Sequence, residues 1–255
     1  MAVGVVYDPV FASYWCEWDP TYVENPARYE CVVRRCGELG LLERCTRVHP
    51  GPATRQDLLR CHHPDLLNTL EATADQEADR LREVSARFDC LYLHRNSWEA
   101  ALLAAGAAVE LVQAALAGTI QSGFSLARPP GHHATRGESG GYCYLNNVAV
   151  AARAALAAGT ERVLIVDWDV HHGQGTQREF YSDSRVLYIS IHRYEWGAWW
   201  PNLRESDYHN IGQEPAAITS TWRSHVLWLL VLCFAAKILL LCTKVDVCLP
   251  ARMRG

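Results

Sequence analysis

The chain of 255 residues contains 49% apolar and 20% charged side chains, a composition that supports a large buried core and excludes a largely disordered protein. Its net charge of −4 at pH 7 gives no electrostatic basis for direct nucleic-acid binding. None of the ten cysteines forms a C-x-x-C pair, and the N-terminal segment lacks the basic start and long apolar stretch of a secretory signal. We therefore expect a reducing, intracellular setting with free thiols.

The predicted elements alternate between apolar strands and alanine-rich helices. In chain order they are a strand over 3–7, a helix from Asn25-Pro26 to about Gly40, a helix over 98–116, a strand over 122–127, a helix over 145–158, and strands over 162–166 and 186–191. This alternation predicts an α/β fold with a mostly parallel, doubly wound sheet. In such sheets, binding and catalytic groups gather at the C-terminal ends of the strands.

Metal-capable side chains follow three of these strands. Asp169 and His171 form a D-x-H pair whose side chains point to one face of an extended chain, so both can meet one ion. A carboxylate and an imidazole suit zinc. The alternative is an ordinary Asp–His hydrogen bond at a strand end.

Two further features at the strand ends each allow two interpretations. His132 and His133 can face one cavity as general acid–base groups, or they can be surface histidines. Asp167 can orient a histidine in one tautomer, or it can cap the end of its strand.

Aromatic residues lie beside glycine-rich stretches. Tyr142, Trp199 and Trp200 can wall a narrow channel for an alkyl chain, or they can belong to the core. For Trp199 we favour core packing.

Four motifs occur together in one order: RPPGHHA at 128–134, GGYCYLNN at 140–147, VLIVDWDVHHGQGTQ at 163–177 and LYISIHRY at 187–194. With these motifs, residues 1–212 resemble the zinc-dependent histone deacetylase family, and within it the class II, class IIb-like catalytic domains. The resemblance implies an arginase/deacetylase-like α/β fold that is incomplete on its C-terminal side. The combination of RPPGHH with DWDVHHGQGTQ is highly specific.

The resemblance assigns catalytic and metal-binding roles at the strand ends. His132 and His133 match the tandem catalytic histidines, and Asp167 matches the carboxylate that partners His132. Asp169 and His171 match two of the three zinc ligands.

The resemblance also assigns a substrate channel and a second cation. Tyr142 and Trp200, where the family usually has phenylalanine, match its walls beside Gly141, and Asp89 matches the rim residue that grips the substrate backbone. Gln174 stands where other classes place an acid, so we expect a lower pKa for His133 than an acid would give. A structural potassium ion is implied at the following residues, largely through backbone carbonyls: Asp167, Asp169, His171, Ser190 and Ile191.

The implied activity is removal of acetyl groups from lysine side chains of proteins, such as histone tails or tubulin, in the cytoplasm, the nucleus or both. Corepressor complexes are implied as partners, whereas direct nucleic-acid binding and membrane association are not expected. Acetylpolyamine hydrolysis uses the same catalytic core and remains an alternative.

Residues 213–255 depart from the family pattern. The third zinc ligand, an aspartate on a later strand, and the oxyanion tyrosine of a later Gly-Gly-Tyr turn have no counterpart there. The tail instead carries an apolar run over 226–242, interrupted only by Lys237 and marginal beside the roughly 20 residues of a membrane span. We interpret the tail as a translated non-native reading frame, with a buried helix or a membrane segment as alternatives. This chain is therefore expected to be impaired or inactive, with apolar surface exposed on its sheet.

Overall fold

The computed structural model describes residues 2–212 and two later strands, and these residues form two parallel β-sheets. The first sheet has the order β2-β1-β3, formed by β1 (Val3–Val6), β2 (Thr46–Arg47) and β3 (Ser122–Ser125). The second has the order β6-β5-β4-β7, formed by β4 (Arg162–Asp167), β5 (Val186–His192), β6 (Ala217–Thr221) and β7 (Ile238–Thr243). Every strand pairing is parallel, so the predicted α/β class is confirmed.

Helices separate the strands along the chain. They are α1 (Ala27–Glu38), α2 (Arg55–Leu59), α3 (Pro64–Glu71), α4 (Ala78–Ser85), α5 (Ser97–Leu116), α6 (Asn147–Ala157) and α7 (Gln174–Phe180). Gly40, Gly118 and Gly159 all have positive φ just beyond helix ends, a common way for helices to end.

Helix α5 forms the centre of the core, where it packs against α6, β1 and β3. Gly106 of α5 permits close approach of the segment that precedes α2, because a Cβ at that position would lie 1.8 Å from the carbonyl oxygen of Gly51. In the described part of the chain, α5 is also the one helix long and apolar enough to cross a membrane, a property that core helices share.

The register of β4 and β5 determines which strand-end residues meet. Asp167 pairs with Ser190 across the two strands, and both residues are buried. β4 and β5 are therefore neighbours in the sheet. The two segments that follow these strands emerge side by side at the C-terminal edge of the sheet.

The structure differs from the predicted elements in three ways. Among the described residues the strands form two sheets and not one, and short helices α2, α3, α4 and α7 were not predicted. Part of the predicted apolar run is the strand β7. Its backbone pairs with that of β4, beginning with Ile238 opposite Arg162 and ending with Thr243 opposite Asp167. This pairing contradicts a helix over 238–242, whereas 226–237 lies outside the described residues.

One large apolar side chain of β3 is exposed. Within the described residues β3 pairs only with β1, so its other edge has no strand partner there. Phe124 of β3 is 49% exposed.

Candidate active site

The tandem histidines His132 and His133 lie in the loop that follows β3, and both side chains are buried. Their ring centroids are 3.8 Å apart. His132 Nδ1 lies 2.8 Å from Oδ2 of Asp167. Because a carboxylate oxygen only accepts hydrogen bonds, His132 carries a proton on Nδ1, and its Nε2 lies 4.0 Å from Oδ1 of Asp169.

The carboxylate of Asp167 is fully buried and held by three donors. Besides His132, the hydroxyl of Tyr188 donates to Oδ2 at 2.8 Å, and the backbone N–H of Asp169 donates to Oδ1 at 3.1 Å. Gly173 allows this crowding, because a Cβ there would lie 2.6 Å from Oδ2. Asp167 thus both caps the end of β4 and orients a histidine, so the two interpretations of this residue are compatible.

His133 has a neutral partner, as the sequence indicates. Its Nδ1–H donates to Oε1 of Gln174 at 2.8 Å, and this leaves Nε2 as the acceptor nitrogen. Burial, with the neighbouring His132 ring as a second cause, holds the pKa of His133 well below its usual range. His133 is therefore a neutral imidazole with an available lone pair.

The side chains of Asp169 and His171 come together as the D-x-H spacing predicts. Oδ1 of Asp169 lies 3.1 Å from Nδ1 of His171, and it also accepts the backbone N–H of His171 at 2.7 Å. The separation fits a hydrogen bond, and it also fits two ligands of one zinc ion with bonds of about 2.0–2.2 Å. No group of three His, Cys, Asp or Glu side chains that could hold a metal ion exists among the residues described by the structure. The donor set found here is thus a pair.

Two of the predicted channel residues, Gly141 and Trp200, lie against His133. The ring of Trp200 meets that of His133 edge to face at 4.5 Å, and its Nε1–H donates to Oδ2 of Asp89 at 3.0 Å. A Cβ on Gly141 would lie 2.4 Å from Trp200 and 2.5 Å from His133, so only glycine fits between these two rings. Tyr142 follows with φ of 68°, and its backbone N–H donates to the carbonyl of Cys90.

Trp199 also belongs to the site, although we favoured core packing for it. Its ring stacks on His171 with a centroid distance of 5.9 Å and an interplanar angle of 16°. The guanidinium of Arg193 lies over the Trp199 ring, 3.6 Å from the ring centroid. The position next to Trp200 was the only sequence signal for this contact.

A second buried pair, His172 and His192, lies behind the site and was not predicted. Ser206 connects them, because its hydroxyl bonds to Nδ1 of His172 and its carbonyl to Nε2 of His192, at 2.8 and 2.9 Å. Ser190 bonds to the remaining nitrogen of His192 at 2.8 Å. Burial lowers the pKa of both histidines, to about 3 for His172. This network connects the ends of β4 and β5 to the segment that follows the two tryptophans.

A buried ion pair anchors the start of the tandem histidine loop. Arg128 donates from Nε and Nη2 to the carboxylate of Glu24, at 2.6 and 2.8 Å. Its Nη1 donates to the carbonyls of Phe11 and Tyr14. Because a buried charge is stable only when paired, this arrangement holds the loop against the N-terminal segment.

Comparison with known proteins gives a consistent set of relatives. The sequence profile described as "Histone deacetylase domain" matches residues 22–223. The chain is 41% identical to human "Polyamine deacetylase HDAC10" over 216 residues, which cover 84% of this chain and 32% of that protein. It is 36% identical to "Histone deacetylase 5" of Arabidopsis thaliana, over 84% of this chain and 33% of that protein.

Fold comparison agrees with the sequence comparison. The structure described as "Crystal Structure of HDA15 HD domain" superposes with a TM-score of 0.76 at 31% identity, covering 87% of this chain and 62% of that one. The chain spans about a third of the length of the curated relatives it matches.

Proposed function

The chain belongs to the histone deacetylase family, and on that premise we propose that residues 2–212 hold most of the active site of a zinc-dependent deacetylase for acetyl-lysine in proteins. One observation carries the proposal. The Asp169–His171 donor pair lies beside two buried histidines: His133, whose Nε2 is unprotonated, and His132, whose Nδ1–H donates to the carboxylate of Asp167. That arrangement combines a cation site with a base, as amide hydrolysis requires.

The chemistry of the donor pair fits zinc. An anionic oxygen and an imidazole nitrogen are ligands that zinc prefers, and they are close enough to share one ion. Zinc, when bound, supplies Lewis-acid activation of the acyl carbonyl and of a water molecule. The third protein ligand of the family is not among the described residues, so we propose that Asp169 and His171 hold the ion only weakly.

The two histidines have different electrostatic partners, and we infer different roles from them. His133, beside neutral Gln174, is the residue that accepts a proton at Nε2 from water and passes it to the leaving amine. His132, beside the carboxylate of Asp167, is stabilised as an imidazolium and supports developing negative charge on the substrate.

The channel residues fit a linear alkyl chain that ends in an amide. Trp200 and Tyr142 supply flat walls, Gly141 makes room for the Trp200 ring, and Asp89 stands at the rim. We further propose that Ser190 and Ile191 at the end of β5 and Asp167 at the end of β4 supply carbonyls to a structural potassium ion, with Asp169 and His171. The parallel register between Asp167 and Ser190 supports this placement.

Acetylated polyamines are the second candidate substrate, because relatives at 40–41% identity are named polyamine deacetylases. A competition assay with an acetyl-lysine peptide and an acetylpolyamine separates the two. Histone tails and tubulin as protein substrates, corepressor complexes as partners, and a cytoplasmic or nuclear location remain proposals from the family. The boundary at residue 212 between the catalytic part and the 213–255 tail is also a proposal.

We expect the 255-residue chain to retain zinc poorly and to turn over near background on an acetyl-lysine peptide. Loss of a single oxyanion donor costs about 10²–10³ in kcat, before any loss of metal. The experiment compares this chain with a chimera in which a family member's C-terminal half replaces residues 213–255, by metal analysis and acetate release. The chimera should gain both zinc and activity, and His133→Ala should abolish the gain.

Two outcomes would contradict the proposal. An inactive chimera that folds and binds zinc would remove the catalytic assignment of the histidines. Strong turnover by the 255-residue chain, lost in His133→Ala, would show that the tail supplies the missing groups.

A further inference from the structure

Five consecutive carbonyl oxygens of the tandem histidine loop, from His132 to Arg136, each accept a hydrogen bond from outside the loop. The first three donors are the backbone N–H of Thr176 to His132, Nε2 of Gln174 to His133, and Nδ2 of Asn146 to Ala134. The last two come from neighbouring residues between α2 and α3: His62 Nδ1 to Thr135 at 2.9 Å and the backbone N–H of His63 to Arg136 at 2.6 Å. The loop is therefore fixed at every residue, and part of its support lies 73 positions earlier in the chain.

The ring of His62 is a neutral connector between two backbone groups. It is 1% exposed, and its Nε2 accepts the backbone N–H of Asn146 at 2.9 Å while its Nδ1–H donates to Thr135. A carbonyl only accepts and an amide N–H only donates, so these partners allow one tautomer and no second proton. Burial agrees with this assignment, because it lowers the pKa of His62 to about 4.

Asn146 carries the constraint from His62 to the residue after His133. Its Nδ2 donates to the carbonyl of Ala134 at 3.2 Å, and its Oδ1 caps α6 by accepting the N–H of Ala149 at 3.1 Å. The same amide nitrogen donates to the hydroxyl of Thr176 at 3.1 Å. A shift of Asn146 would thus move Ala134, and His62 bonds both to Asn146 and to Thr135, the residue that follows Ala134.

We propose that His62 is a positioning residue for the tandem histidines, acting through Thr135 and Asn146 without contacting substrate. The proposal rests on the proposed function, in which His133 accepts a proton at Nε2. Displacement of a catalytic group by about 1 Å can cost about 10²-fold in rate, so a ring that fixes the loop matters for catalysis. The competing interpretation is a core histidine that contributes to stability alone.

Three variants of the full 255-residue chain separate the two contacts. His62→Asn keeps a donor near the position of Nδ1, His62→Gln keeps an acceptor near the position of Nε2, and His62→Phe removes both. His63→Asn is the matched control. In this variant the backbone N–H of residue 63 still donates to Arg136, and the asparagine side chain takes over the N-cap position of α3 from histidine.

The readout is the tautomer of His133, observed in two-bond ¹H–¹⁵N spectra of histidine-labelled protein. The unmodified chain and His63→Asn should show a single Nδ1–H tautomer, since Gln174 accepts that proton. The Asn and Gln variants should show a mixture of tautomers, and His62→Phe, where it folds, a larger change. No turnover is required, so this result is independent of the acetate-release test of the proposed function.

Two results would overturn the positioning role. One is unchanged ring signals of His132 and His133 in the His62 variants while the unfolding midpoint falls. The other is that neither His62→Asn nor His62→Gln folds, which would make His62 a stability residue.

Discussion

The hydrogen bond from Trp200 Nε1 to Asp89 connects two loops that are 111 residues apart in the chain. Phenylalanine, the usual family residue at this position, has no such donor. We predict a coupling of roughly 0.5–1.5 kcal/mol between the two side chains in a double-mutant cycle of Trp200→Phe and Asp89→Ala. Urea unfolding of the four proteins measures it.

Trp199→Phe with Asp89→Ala is the matched control cycle, because Trp199 has no hydrogen bond to Asp89 in the described structure. Its coupling should be near zero. Equal couplings in the two cycles would contradict a specific bond between Trp200 and Asp89.

The amide of Gln174 keeps the partner of His133 neutral. In Gln174→Glu a carboxylate would accept the Nδ1–H and favour the imidazolium, so the pKa of His133 should rise. An NMR titration of the histidine rings measures the change. Gln177→Glu is the control, because Gln177 contacts His172, and it should raise the pKa of His172 while leaving His133 less affected. A His133 titration that does not move would mean that burial alone sets its pKa.

The turn that carries Gly141 is sensitive to the addition of a single methyl group. Gly141→Ala forces a Cβ against Trp200 and His133 at a residue with φ of 54°, so it should lower the free energy of unfolding by roughly 2–4 kcal/mol. Gly137→Ala in the same loop is the control and should be nearly neutral, because nothing lies within 4 Å of its added Cβ. Denaturant unfolding compares the two, and equal losses would contradict the crowding argument.

At the scale of elements, the sequence predicted the long helices and the buried strands because each has an unambiguous period and a glycine stop. It did not predict α2, α3 and α7. These helices have five, eight and seven residues, and one or two helical turns are too short to show a clear hydrophobic period. The same limit hid His62, which lies between α2 and α3 and gains its role only through Thr135 and Asn146. The contact between Asp169 and His171 could be predicted from their spacing in the sequence. Contacts between residues 70 or more positions apart, such as those of His62, could not be predicted without the folded structure.

At the scale of the molecule, buried neutral histidines make stability depend on pH. His62 has a pKa of about 4 and His172 of about 3 in the fold, whereas an unfolded histidine titrates near 6.5. Between those values the unfolded chain binds more protons, so stability that is present above pH 6.5 is lost as the pH falls. From pH 7 to pH 5 each histidine should cost on the order of 2 kcal/mol.

Urea unfolding at the two pH values measures this loss. His62→Gln cannot titrate, so its stability should change less than that of the unmodified chain over the same interval. An equal pH dependence in the variant would contradict the contribution of His62.

The anchors of the tandem histidine loop also determine when the active site can form. Arg128 contacts Glu24 and Phe11 across 104 and 117 residues, and His62 contacts Asn146 across 84. Contacts of such high order are slow to form, because the entropy of closing long loops is lost before the contacts stabilise the chain. Segments synthesised before the loop and after it must both dock, so we expect the two histidines to reach their final geometry among the last steps of folding.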